Sequence, residues 1–179
     1  MAPVAINPYK KGLLAFGILC LLVIAGAIMG LYPQYLLYIE DTSNLRPVLK
    51  TPVHPGDNLW VVFINSVEGL PVADHYMVSD RHQLVYHETI YQAPYAGYDH
   101  PGNKEIIAPG TIRIAGFDRP MAEVTFYAGY RYKHLLFVNG NWLPLYQVAK
   151  GGDLIRITIT RRTRWATLLN RIFSNEQQS

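Results

Sequence analysis

Four groups of residues could carry chemistry. His87-Glu88-Thr89-Ile90-Tyr91 opens like the zinc-protease pattern, in which two histidines four residues apart on one helix face hold the metal and the glutamate acts as base. The second histidine position is Tyr91, and the stretch reads as a strand, so the ligands would not converge. Asp74 or His75 could instead face His87 across a hairpin, a carboxylate–imidazole pair within reach of a metal, and a cross-strand surface pair is the simpler reading. Ser66 lacks the Gly-x-Ser-x-Gly elbow of a hydrolase nucleophile, because its flanks are Ile64 and Glu68. Glu68 follows an apolar strand and precedes Gly69-Leu70-Pro71, which holds its backbone in a turn. Its carboxylate there can bond neighbouring backbone N–H groups or face a ligand. With no phosphate loop, CxxC pair or His/Cys cluster, the sequence points away from an enzyme and calls for no cofactor or metal.

Tyrosines form the remaining group. Tyr91, Tyr95 and Tyr98 lie in and near a long loop, and Tyr127, Tyr130 and Tyr132 surround a later turn. Tyrosine suits strands, so packing is the simpler reading. If the two groups converge, Tyr95 and Tyr98 join an amphipathic contact surface for a protein partner or a ligand, to which Arg131 adds an anchor.

The elements that position these residues begin with an anchor. Lys10 and Lys11 precede twenty uncharged residues, 12–31, enough for a helix of about 30 Å, roughly the hydrocarbon thickness of a bilayer. Tyr32, Tyr35 and Tyr38 follow as an interfacial aromatic belt would, so residues 12–39 read as a transmembrane helix with its interfacial extension. The lysines place residues 1–11 in the cytoplasm and the domain that follows the span outside the membrane. A cleaved signal peptide is the competing reading, since Ala25-Gly26-Ala27 fits a cleavage pattern, but cleavage would leave Ile28-Met29-Gly30-Leu31 on a free terminus. Leu19 before Cys20 argues against a lipid-modified cysteine, and a lone cysteine excludes an internal disulfide.

Residues 40–56, with Pro47, Pro52 and Pro55, read as an extended stalk. Residues 57–160 then alternate short apolar runs with turn residues, giving about eight strands at 59–64, 72–78, 84–91, 111–115, 122–127, 134–138, 142–147 and 154–160. Asn139-Gly140 marks a tight hairpin, and 79–82 reads as a second hairpin loop. In the last run Ile155, Ile157 and Ile159 alternate with Arg156, Thr158 and Thr160, so one face is buried and the other wet. The expected class is all-β, an antiparallel sandwich or barrel, with residues 93–110 as a long loop open to ligand binding.

Residues 161–179 differ. Trp165, Leu168, Leu169, Ile172 and Phe173 make one apolar stripe on a short amphipathic helix, with Arg164 and Arg171 off it. The helix can close the β domain, or lie on the membrane or dock into a membrane partner. Residues 32–160 carry 10 Lys/Arg against 12 Asp/Glu, whereas 161–179 carry four Arg against Glu176. A near-neutral domain outside a membrane argues against a nucleic-acid role.

Residues 63–71 (Phe-Ile-Asn-Ser-Val-Glu-Gly-Leu-Pro), followed by Tyr76, a strand ending near Glu88, Ala96-Gly97, and Gly152-Asp153 before the final strand, resemble one bacterial family, the domain of unknown function 1850. The similarity covers about residues 58 to 160, with Asn65 where members usually have His and Gly97-Tyr98-Asp99 where they have Gly-Leu-Pro. The resemblance implies a small envelope protein commonly encoded beside tripartite ATP-independent periplasmic (TRAP) transporters of the TAXI type. The expected function is an auxiliary subunit that contacts the transporter's membrane subunit or solute-binding protein, with Asn65, Ser66 and Glu68 organising that surface. A small-ligand-binding β domain is the alternative, and a hydrolase built on Glu68 and a nearby histidine is a third reading.

Overall fold

The computed structural model describes residues 8–92, 102–129 and 133–167. The chain divides into two compact units, one of residues Met1–Gln34 with Arg161–Ser179 and one of residues Tyr35–Thr160.

In the first unit α1 (Pro8–Leu31) contains no acidic residue and no apolar stripe. Its apolar side chains are exposed in every direction, as at Leu13, Phe16, Ile18, Leu21, Leu22 and Ile28. The helix backbone runs for 24 residues. Its side chains are described without a break over 16–31, and among the described residues no helix is long and apolar enough to cross a membrane. Near its end the indole of Trp165 occupies the space over Gly30, where a Cβ would fall inside the ring. Residues 164–167 form a helical turn whose N-cap is Thr163, its Oγ1 accepting the Ala166 N–H at 3.2 Å. The stripe residues Leu168, Leu169, Ile172 and Phe173, and Arg171, lie outside the described residues.

The second unit is all-β. Its strands are β1 (Pro33–Asp41), β2 (Arg46–Pro52), β3 (Asn58–Ile64), β4 (Pro71–Val78), β5 (Leu84–Gln92), β6 (Asn103–Ala108), β7 (Thr111–Met121), β8 (Val124–Tyr127), β9 (Leu135–Val138), β10 (Asn141–Pro144) and β11 (Leu154–Thr163), with one helical turn, α2 (Leu145–Val148), before β11. One sheet has the order β2-β1-β11-β8 and the other β10-β9-β3-β4-β5-β7-β6, in antiparallel pairs. Alternation along the strands sends Leu37 and Ile39 of β1 and Ile155 and Ile157 of β11 to one side of a shared core. Leu59, Val61, Tyr76, Val78, Leu84, Leu136 and Val138 come from the other sheet. A smaller cluster of Val72, Tyr91, Ile112 and Ile114 extends the apolar face along β4, β5 and β7. At the Asn139-Gly140 turn both residues have positive φ, 46° and 83°, and the hairpin closes with Asn141 opposite Val138.

Among the described residues eleven strands replace the eight read from the sequence. Residues 33–39, read as an interfacial extension, are in β1; Tyr35 stacks on His82 at 3.6 Å and Tyr38 lies under Lys50. The expected stalk at 40–56 is largely a hairpin, because β2 is a sheet edge where Pro47 and Pro52 forfeit no needed donor. The loop expected at 93–110 contains β6, an edge strand exposed along its whole length and so without an apolar alternation to reveal it. The run 142–147 splits at Pro144 into β10 and α2.

Ile157 has no solvent exposure and faces the central core. Ile157→Ala is expected to cost about 2–5 kcal/mol, read as an earlier urea midpoint with an unchanged slope.

Candidate functional site

The centre of the seven-stranded sheet is buried on both faces. In β4, Tyr76 enters the core and its neighbour His75, on the opposite face, is only 8 % exposed. What covers His75 is a polar and aromatic ladder across β3, β4, β5 and β7. Trp60 pairs directly with His75, and the two rings stack at 4.1 Å with 3° between their planes. His75 in turn pairs with Glu88, whose Oε1 lies 3.3 Å from His75 Nδ1. Arg113, diagonal to Glu88 on β7, donates from Nε to Glu88 Oε2 at 2.5 Å and pairs through Nη1 with Glu105 of β6 at 3.6 Å.

Two irregularities complete the ladder. His87 is an extra residue of β5 between Tyr86, opposite Tyr76, and Glu88, opposite His75. The register between β5 and β7 shifts at the same place, where Gly116 and Asp118 take positive φ. The bulge sets the His87 ring edge-on to His75 at 5.7 Å and its Nδ1 2.8 Å from Asp118 Oδ1. Of the two residues expected to face His87, His75 meets it edge-on and Asp74 does not; the carboxylate partners are Glu88 for His75 and Asp118 for His87. Asp74 faces elsewhere and accepts from the Tyr86 hydroxyl at 3.2 Å. Burial first, and then Asp74, hold the Tyr86 phenol well above its ordinary pKa, so it remains a donor.

The hydrogen bonds fix the His75 tautomer. Asn58 Nδ2 donates to the Gly56 carbonyl at 3.1 Å, so Asn58 Oδ1 must accept from His75 Nε2–H at 2.7 Å. In the neutral ring Nδ1 then carries a lone pair toward the Glu88 carboxylate and makes no hydrogen bond although it is buried. A proton on Nδ1 would turn this opposition of acceptors into a charged hydrogen bond. Burial holds the pKa of His75 below its ordinary 6.5, with Glu88 pulling upward and His87 and Arg113 pushing further down.

The residues read from the sequence as a contact surface occupy the β3–β4 connection. Asn65 Oδ1 accepts the N–H groups of Val67 at 2.8 Å and Glu68 at 3.2 Å. The main chain closes the loop through Asn65 N–H to Leu70 O and Gly69 N–H to Asn65 O, with Gly69 at a φ of 70°. Asn65, not the Glu68 carboxylate, therefore holds this turn, and it presents Ser66, Val67 and Glu68 to solvent, Val67 at 80 % exposure. Tyr95, Tyr98 and Arg131 lie outside the described residues. Trp165 and Arg164 belong to the first unit.

A cavity of about 90 Å³ lies beside His134, Tyr146, Ala128 and Gly129. It is well below the roughly 300 Å³ of a small-molecule pocket. His134 stacks between Phe63 and Phe126 and accepts the Gly129 N–H, which gives it a packing role there. Among the described residues no group of three or more His, Cys, Asp or Glu could hold a metal ion. The ladder is thus an ion-paired patch, and the β3–β4 loop is an exposed tip whose backbone is hydrogen-bonded by Asn65.

Residues 60–145 match the domain of unknown function DUF1850. The chain resembles this family from Trp60 of the ladder through the β3–β4 loop to Leu145 of α2. No curated protein and no solved structure matches the chain. Within the DUF1850 region, sequence reasoning passed over Trp60, Glu105, Arg113 and Asp118. Arg113 had a signal, a lone charge alternating with Ile112 and Ile114. Asp118 had none, because its place depends on the bulge.

Two outcomes are expected of this region. Because the folded state binds the His75 proton less readily than the unfolded chain, stability rises with pH through the window below about 6.5 and falls on acidification. His75→Gln should flatten the melting temperature measured from pH 7 down to pH 5 relative to the native chain; an unchanged slope would exclude His75 as its source. Asn65→Ala removes an acceptor for two N–H groups and is expected to cost about 1 kcal/mol in urea unfolding.

Proposed function

We propose that this protein is a membrane-anchored periplasmic accessory protein, an auxiliary subunit of a TAXI-type TRAP solute transporter acting by protein–protein contact. In this reading α1 crosses the bacterial inner membrane with the amino terminus cytoplasmic, and the β domain lies in the periplasm. The observation that carries the reading is the surface of α1, where Leu13, Leu14, Phe16, Ile18, Leu21, Leu22 and Ile28 expose apolar side chains around the helix. A 24-residue helix covers about 36 Å, enough for a hydrocarbon core of roughly 30 Å with some tilt. Water would penalise that surface at about 25 cal/mol per Å². Lys10 and Lys11 supply the orientation.

The contact role draws support from the β3–β4 loop. An 80 % exposed valine beside an exposed carboxylate, on a turn whose backbone is already fixed by Asn65, loses little entropy on binding a partner. The transporter's membrane subunit or its solute-binding protein is the partner that the DUF1850 resemblance suggests.

Mild detergent extraction of the tagged chain at native expression is expected to bring down a TRAP subunit. Glu68→Gln should reduce that recovery while leaving the melting temperature unchanged. Recovery of the native chain alone would overturn the accessory role.

A further inference from the structure

The first unit carries a basic collar at the end of α1 opposite Lys10 and Lys11. Arg161, Arg162 and Arg164 are all exposed, and no ion pair holds them among the described residues. Residues 1–34 contain no carboxylate and 161–179 contain only Glu176, so this unit has almost no acid of its own to neutralise them. Their place is fixed by contacts within the unit. The Arg164 N–H donates to the Tyr32 carbonyl at 3.3 Å, Thr163 caps the turn that begins at Arg164, and Trp165 fills the notch over Gly30. Trp165 is 45 % exposed and Tyr32 65 %, two amphipathic rings at the level where the apolar helix ends.

Arginines beside Trp and Tyr at the end of an apolar helix match the chemistry of a phospholipid interface: guanidinium forks pair with phosphate oxygens, and the rings bury their bodies at headgroup depth. We infer that Arg161, Arg162 and Arg164, set by the Trp165–Gly30 contact, bind the phosphates of anionic phospholipids around the end of α1. The inference rests on α1 crossing the membrane. Gly30 is then required for close approach, since any side chain there would expel the indole and loosen the collar. An acidic protein surface could meet the same charges, but the helix end places bilayer phosphates against them without a further partner.

The test uses the full chain reconstituted in phosphatidylcholine vesicles doped with spin-labelled phosphatidylglycerol or spin-labelled phosphatidylcholine. The fraction of immobilised label is read by electron paramagnetic resonance. The native chain is expected to favour phosphatidylglycerol about five-fold or more. The combined Arg161→Gln, Arg162→Gln, Arg164→Gln variant should lose the preference, and Gly30→Leu should reduce it with the arginines intact. No preference in a native chain that resists alkaline carbonate extraction would overturn the collar and leave the anchor standing. So would a preference that survives in the triple variant and disappears in Lys10→Gln, Lys11→Gln. Release of the native chain by carbonate would overturn the anchor itself, and the collar with it.

Discussion

The β domain depends on burying one sheet from both sides. Successive residues of a strand point to opposite faces, so a strand with two adjacent buried residues must be covered above and below. β4 and β5 each have such a pair, His75 with Tyr76 and Glu88 with Thr89. On one face the four-stranded sheet supplies Leu37, Ile39, Ile155 and Ile157 as cover. On the other, the sheet covers itself, with Trp60 over His75 and Arg113 across Glu88. A buried carboxylate is tolerable only when paired, which makes Arg113 necessary to Glu88. The bulge at His87 follows from the same demand, since it brings a second imidazole onto the face already occupied by His75.

This arrangement separates rigidity from contact. The ladder ties four strands together by ion pairing and stacking, and the loop between β3 and β4 is held at its base by Asn65 while its tip faces solvent. The hydrogen-bonded tip is thereby preset, with little conformational freedom left to lose on any contact. The first unit follows a different logic, with apolar surface on every side of α1 and basic and aromatic residues gathered at its end.

The sequence reveals most where period and turn chemistry agree. Ile155 and Ile157 alternate with Arg156 and Thr158, and they are the buried face of β11. Asn139-Gly140 is the hairpin that its positive φ angles require. Edge strands escape detection because an exposed strand needs no apolar alternation; β6 is solvent-facing throughout, and β2 contains two prolines. β1 was hidden by continuity, since its apolar residues run on from those of α1. At the candidate site, the pairing of His75 with a β5 carboxylate was within reach of strand reasoning. The His87–Asp118 contact was not, because a bulge shifts register by one residue without leaving a mark in composition. Glu68 follows an apolar strand, yet the side chain that shapes the turn is Asn65, three residues earlier.

The proposed accessory role depends on contact through the β3–β4 loop. Its most direct measurement is site-specific photo-crosslinking in native membranes, with a photoreactive residue replacing Val67 in the full chain. Under this proposal, a light-dependent adduct with a TRAP membrane subunit or its solute-binding protein is expected. An efficiently labelled, membrane-bound chain that forms no such adduct from this position would contradict it.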